Sequence, residues 1–266
     1  DHHLVESQTT VDDLIPILLP VNRAPRFREA NLVAIDVADP PDTIGSVLTD
    51  RRGRVRAFYA SFSYNTTDSE LSGSAGIPAR LIRETLEQAM GEAPPLRTIG
   101  VELVPINLAD AVQRGLTPER VREITSNRDG ERQLLRILRV ESGHPAHAFL
   151  RAGDILLEID EQLVTNTNRV EASIVEESHR ITILRSGREL VQEVPSGIAT
   201  PAVERFLFWG GAYLHSPHTA ARILNSMPPI GVYVSRTWYG SPASRSDLYA
   251  VSRIVAVNDI ETPDLD

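Results

Sequence analysis

Gly143-His144-Pro145-Ala146, followed by Leu150-Arg151-Ala152-Gly153-Asp154-Ile155, is the stretch from which the rest of the chain can be read. Pro145 suits the first position of a short helix. Gly153 supplies the freedom a tight turn needs, and the apolar run 155–159 then reads as a buried strand. The pattern recurs. Gly240-Ser241-Pro242-Ala243 precedes Leu248 and a strand ending Val257-Asn258. Leu150 to Asp160 and Leu248 to Asn258 have the same length, with one residue inserted ahead of Leu248. An internal repeat predicts two copies of one domain type. The second stops at Asp266 and reads as truncated.

Around the first copy, strands and short helices interleave. Ile99-Gly100-Val101-Glu102-Leu103 is a strand. Thr117-Pro118-Glu119 starts a helix, with Thr as cap, Pro first and Glu at the positive end of the dipole. Further strands are expected at 134–140 and 155–159, and helices at 145–150 and 170–175. A hairpin over 180–184 and 190–194 turns at Ser186-Gly187. That order suits a small α+β barrel. Upstream, residues 1–13 are a frayed polar lead-in, and Asn31-Leu32-Val33-Ala34-Ile35-Asp36-Val37-Ala38 is a buried strand. Asp50-Arg51-Arg52-Gly53 turns a hairpin into 55–63, 65–76 is a polar loop, and Ile77-Pro78 opens a helix. Leu81, Ile82, Leu86, Ala89 and Met90 lie near one face of it. Gly91 and Pro94-Pro95 end it.

Of 266 residues, 36 are Asp or Glu and 27 Lys or Arg, a net charge of −9. That disfavours nucleic-acid binding, which needs a basic footprint, and a polybasic membrane surface. No apolar run reaches a membrane span; 14–21 is broken by Pro16 and Pro20. With no cysteine, disulfides, Cys-ligated zinc and Cys nucleophiles are excluded. Hydrophobic residues at 41% and charged residues at 24% are ordinary for a globular protein. Asp1 is not a natural start, so the chain reads as a fragment whose targeting cannot be judged.

The repeated motifs resemble the PDZ domains of the HtrA/Deg serine-protease family, in the plant and fungal branch with tandem protease domains, one degenerate, and several PDZ domains. The resemblance implies a mainly β fold with α+β parts: a degenerate trypsin-like β-barrel remnant over 1–76, a linker helix over 77–95, a PDZ-like domain over 96–197 and a second over 198–266. Leu32-Val33-Ala34-Ile35-Asp36 resembles the strand before the nucleophile loop, Asp50 to Val55 the hairpin after it, and Gly76-Ile77-Pro78 the exit to the linker. Counting from Asp36 or from Asp50 puts Ile44 at the nucleophile position, within Asp42-Thr43-Ile44-Gly45-Ser46. An isobutyl group cannot attack a carbonyl. The resemblance therefore implies no catalytic residue in this chain, although the full-length protein would be a serine endopeptidase serving proteolysis and protein quality control. It also implies peptide or unfolded-protein substrates, an upstream active protease domain as partner, room for a homo-oligomer, and the nucleus, cytosol or chloroplast stroma as location.

A serine triad needs His and an acid around the hydroxyl. His2 and His3 lie in the lead-in, while His144, His147, His179, His215 and His218 fall in PDZ-like segments. Ser46 is two positions off register. The His144/His147 and His215/His218 pairs have helix-face spacing, but no neighbouring ligand completes a metal set, and no cofactor is expected. The carboxylates of Glu176-Glu177 and Asp12-Asp13 diverge. Phe206, Phe208, Trp209, Tyr213, Trp238 and Tyr239 read as a core for the last domain. Peptide capture remains. The loop Arg97-Thr98-Ile99-Gly100-Val101 is similar to the family's carboxylate-binding loop, with backbone N–H groups of Thr98, Ile99 and Gly100 as donors and Val101 to Leu103 as docking edge. Arg97 would add charge. Alternatively Gly100 only permits a bend. Trp209-Gly210-Gly211-Ala212 takes the same place in the second copy, where Val251 replaces the Gly153 of the first and the bend reading is favoured. The alternative function for the whole is a structural or oligomerisation scaffold bracing the active protease domain.

Overall fold

The computed structural model describes residues 6–16, 33–41, 45–65, 70–91, 96–126, 132–199, 205–224 and 226–266. His2, His3, Leu32, Ile44, Pro94 and Pro95, singled out above, lie outside them. Described residues before Leu96 form one compact unit, and those from Leu96 onward another.

The first unit is an antiparallel sheet of β1 (Val11–Pro16), β2 (Val33–Val37), β3 (Val47–Thr49), β4 (Val55–Asn65) and β5 (Glu70–Pro78), followed by helix α1 (Ala79–Ala89). The strand order is β1-β2-β5-β4-β3, an open sheet among the described residues. Asp50 closes the β3–β4 turn: its carboxylate accepts the Arg52 and Arg54 N–H groups at 2.9 and 3.1 Å. The polar loop expected over 65–76 is largely strand. β4 and β5 pair without interruption from Ala57↔Pro78 to Asn65↔Glu70. Backbone ladder bonds do not depend on side-chain polarity, so small Ser and Gly residues extend a hairpin that the sequence pattern hides. Val11–Pro16 is likewise strand at the end of the expected lead-in, and Leu86 and Met90 of α1 are exposed.

In the second unit the first repeat comprises β6 (Arg97–Thr98), β7 (Val101–Asn107), α2 (Leu108–Gln113), α3 (Pro118–Ser126), β8 (Gln133–Val140), a 3-10 turn (Pro145–Ala148), β9 (Ile155–Ile159), β10 (Gln162–Leu163), α4 (Thr167–Ser173), β11 (Ser178–Arg185), β12 (Arg188–Pro195) and β13 (Gly197–Ile198). The main sheet runs β12-β11-β9-β8-β7. Its inner strands β8, β9 and β11 bury side chains on both faces, since side chains alternate along each strand. Leu134, Ile155 and Leu157 pack with Ala111, Leu116 and Ile124 from the α2–α3 side. Leu135, Leu156, Ile181 and Ile183 pack with Val170 and Ile174 from the α4 side. The Thr117 hydroxyl accepts the Arg120 N–H at 3.3 Å and so caps α3. Helix α2 has no counterpart in the sequence reading.

The second repeat follows with β14 (Phe206–Trp209), β15 (Ala212–His215), α5 (Thr219–Leu224), β16 (Val232–Thr237), α6 (Pro242–Arg245), β17 (Arg253–Ile254), β18 (Ala256–Val257) and β19 (Ile260–Glu261). Its backbone retraces the first. Gly153 N–H donates to Ile137 O at 2.8 Å, and Val251 N–H to Val234 O at 2.8 Å. Asp160 and Glu161 turn at φ 48° and 64°, and Asn258 and Asp259 at φ 50° and 63°. Val251 keeps the turn of Gly153 at φ 74°, a region that β-branched residues avoid. The late aromatics are not a core. Phe206, Phe208, Trp209, Trp238 and Tyr239 are exposed. The interior is instead built from Ala212, Leu214, Val232, Val234 and Ala243. Among the described residues β14 is an edge strand whose residues are all exposed, with the Phe206 and Phe208 rings set against Tyr213 of β15.

One charge in the repeated motif is fully buried. Asp154 is 2% exposed and receives Arg185 through Nε at 2.7 Å and Nη2 at 2.6 Å, plus the Arg151 N–H at 2.8 Å. Arg185 also donates to Phe149 O at 2.7 Å. Removing one partner of such a pair strands the other charge in a low-dielectric site. Asp154→Ala is therefore expected to lower the unfolding free energy by about 3–5 kcal/mol, measured by urea denaturation of the second unit's transition.

Candidate functional site

The loop 97–100 joins β6 to β7. β6 is held by β13, with Thr98 opposite Gly197 and Arg97 opposite Ile198, and Ala199 N–H donates to Leu96 O at 2.7 Å. Gly100 turns the chain into β7 at φ 61°. β7 is the outermost strand in the sheet order of the described residues, and Ile99, Val101 and Leu103 share a core with Val170 of α4 and with Ile174. Loop, strand and helix α4 therefore contribute to one core.

The individual groups are more committed than that reading foresaw. Gly100 N–H donates to Thr98 Oγ1 at 3.0 Å, and Gly100 O accepts from Glu141 N–H at 2.7 Å. Arg97 does not point its charge free into solvent: Nη1 donates to Ser196 Oγ at 3.1 Å and Nη2 to Glu177 at 3.1 Å. Ile99, Val101 and Leu103 are buried, so their side chains shape the floor. Behind the loop lies His144. A Cβ built on Gly100 would stand 2.5 Å from His144 Cγ, and one on Gly197 2.7 Å from Nε2. Both glycines are glycines because the imidazole occupies that space. His144 Nδ1 accepts the Ala146 N–H at 3.1 Å, capping the 3-10 turn. Its proton therefore sits on Nε2. Burial first, and then the nearby Arg222 charge, hold the ring down to about 4, against a weaker opposing pull from the Thr98 backbone.

The other histidines divide by surroundings. His147 is exposed, whereas His144 is buried. His179 is bonded through Nδ1 to Asp160 at 2.6 Å and through Nε2 to the Glu176 backbone, a structural tie. Partial burial works to raise the Asp160 carboxyl, but the His179 and Arg180 bonds outweigh it and hold it below its ordinary range. His215 and His218 do meet, with ring centroids 5.3 Å apart, and both stack on Tyr233. Burial lowers His215 and pushes Tyr233 up to about 12. Among the described residues no group of three His, Cys, Asp or Glu is placed to hold a metal, and no helix is long and apolar enough to cross a membrane.

In the second repeat, Trp209, Gly210, Gly211 and Ala212 form the tight turn of the β14–β15 hairpin. β15 corresponds to β7, and it is an inner strand, paired to β14 on one side and β16 on the other. The edge along which a peptide would add is filled by the chain's own Phe206 to Trp209, a local pairing legible only once the two glycines are seen to make a hairpin.

The burial of His144 gives a pH dependence with a defined sign. Its folded value lies below its ordinary 6.5, so its contribution is fully present above 6.5 and is lost as pH falls toward 4. His144→Asn keeps an oxygen at the capping position but cannot titrate. The difference in thermal midpoint between wild type and His144→Asn is expected to shrink between pH 7 and pH 4, followed by calorimetry.

No family model matches the chain. It is 34% identical to Protease Do-like 7 of Arabidopsis thaliana over 91% of this chain and 25% of that protein. It is 30% identical to pro-apoptotic serine protease NMA111 of Yarrowia lipolytica over 99% of this chain and 27% of the relative. A PDZ domain-containing protein of Schizosaccharomyces pombe is 32% identical over the same shares. Among solved structures, the HtrA-type protease AlgW with decapeptide aligns at a TM-score of 0.37 and 21% identity, over 64% of this chain and 50% of that one. The chain thus spans about a quarter of the length of the curated relatives it matches. Over nearly its whole length it is a homologue of plant and fungal serine proteases of the HtrA family.

Proposed function

We propose that the chain is a non-catalytic recognition part of an HtrA/Deg-like serine protease, and that its first repeat reads the C-termini of peptides or unfolded segments by strand addition. The observation that carries this reading is the assembly of Gly100 at φ 61° with strand β7 and helix α4 around one core. A terminal carboxylate at the loop would take the Gly100 N–H from Thr98 Oγ1, whose hydroxyl is free to rotate toward the carboxylate as a second donor. The peptide's last residues would run along β7. Catalysis would belong to other parts of the longer protein, since sequence register puts Ile44 at the nucleophile position.

For the second repeat a bracing role has specific support. β14 pairs with the strand that corresponds to β7, and Arg222 of α5 forms a buried ion pair with Glu141 of the first repeat. These contacts tie the second repeat to the first and are separate from the scaffold reading, in which the whole braces the active protease domain.

The test is a calorimetric titration with peptides ending in apolar residues, each as free acid and C-terminal amide. Hydrogen bonds to a charged group are worth roughly 1.5–3 kcal/mol each, so amidation is expected to weaken binding at least about tenfold. Gly100→Ala, which drives a methyl into His144, should abolish the difference. Equal affinity for acid and amide, or no binding by either, would reject terminus recognition and leave the scaffold reading.

A further inference from the structure

The segment 141–144 lies between the two repeats and touches both. On one side it supports the recognition loop: Glu141 N–H donates to Gly100 O at 2.7 Å, and the His144 ring packs beneath Gly100. On the other it is gripped by the second repeat. Arg222 Nε donates to Ser142 O at 2.9 Å, its Nη1 lies 3.0 Å from Glu141 Oε1, and Ser142 N–H donates back to Arg222 O at 3.3 Å. The Glu141 side chain is 4% exposed and that of Arg222 17%. Burial raises the Glu141 carboxyl, and Arg222 and a bond from Thr219, both on α5, oppose it. Gly143 completes the contact, since a Cβ there would stand 2.6 Å from Pro229 Cγ.

We infer that Arg222 is a positioning residue: helix α5 clamps the back of the first repeat's carboxylate-reading loop, so that the second repeat sets the affinity of the first. The inference rests on the recognition reading above and names its regulation. The physical path is short. Losing Arg222 leaves Glu141 buried without its cation. The segment must then shift or take in water, and the shift reaches Gly100 through one backbone bond and one ring contact. Anything that draws α5 away, such as a partner of the second repeat, would weaken the first repeat's grip on a terminus. A coupling of this kind is reciprocal.

The experiment compares wild type, Arg222→Ala and Arg222→Lys in the whole chain, by amide hydrogen exchange over 97–101 and by titration with the free-acid and amide peptides. Arg222→Ala is expected to speed exchange in the loop and weaken free-acid binding about tenfold, with little effect on the amide. Arg222→Lys, which keeps a cation for Glu141 but loses the fork to Ser142, should recover part of both. Loop exchange unchanged in Arg222→Ala overturns the clamp whatever the peptides do. Faster exchange with unaltered free-acid affinity overturns its regulatory role. Faster exchange with no peptide bound by wild type shows instead that the recognition reading has failed, and the clamp falls to a structural contact. General unfolding is recognised by faster exchange at Leu156 and Ile183 in the central sheet; if Arg222→Ala unfolds, Arg222→Lys decides on the same criteria.

Discussion

The His144 ring fills a space that no side chain at position 100 or 197 can share. From that exclusion follow the glycine that turns the loop, the glycine that starts β13, and the close approach that lets Glu141 N–H reach Gly100 O. The same ring caps the 3-10 turn through Nδ1. One imidazole thus joins the first half of the repeated motif to the loop about forty residues earlier and must stay neutral to do so. Burial first, and then the nearby Arg222 charge, hold its basicity low, and a proton on Nδ1 would break the cap.

Charge is used sparingly and locally in the first repeat, despite the chain's overall acidity. Glu102 and Arg139 face each other across β7 and β8 and are bonded. Arg120 gathers Glu158, Glu189 and Glu123 within 3.1 Å and ties α3 to the sheet; the hydrogen bonds it donates to these carboxylates, Glu189 first, raise its basicity. Asp154 and Arg185 fix the turn before β9. Apart from Arg120-Glu123, each pair joins segments distant in sequence, and Asp154 and Glu189 are each gripped by two guanidinium nitrogens, the geometry that best offsets desolvation.

Much of the second unit was readable because its signals are backbone requirements. Glycines at forced turns, Pro145 at a helix start and the apolar run 155–159 state their geometry directly, and the repeat reinforces the turn and helix-start signals. What escaped reading depends on partners. Thr98 Oγ1 holding Gly100 N–H, and Arg97 spent on Ser196 and Glu177, follow from rotamers and from the return of the chain at 196–198. The aromatics of β14 looked like core because apolar residues usually are. Among the described residues they lie on an edge strand and stay exposed. The Ser- and Gly-rich β5 was hidden for the converse reason, its pairing being carried by backbone alone.

The two repeats diverge where function would separate them. In the first, the loop is turned by Gly100 and the later turn by Gly153, neither strained. In the second, the strand equivalent to β7 is enclosed by β14, and Val251 adopts the left-handed turn at a cost of about 1–2 kcal/mol. That cost has a local return. The Val251 side chain packs on Ala221, Met227 and Tyr233, and burying a valine is worth up to about 1.5–3 kcal/mol. Ala221 is the neighbour of Arg222 on α5. The residue that strains the second repeat's turn therefore also roots the helix whose arginine reaches into the first repeat. A glycine there would relax the turn but remove the side chain that packs on α5, which is a physical reason for valine at this position.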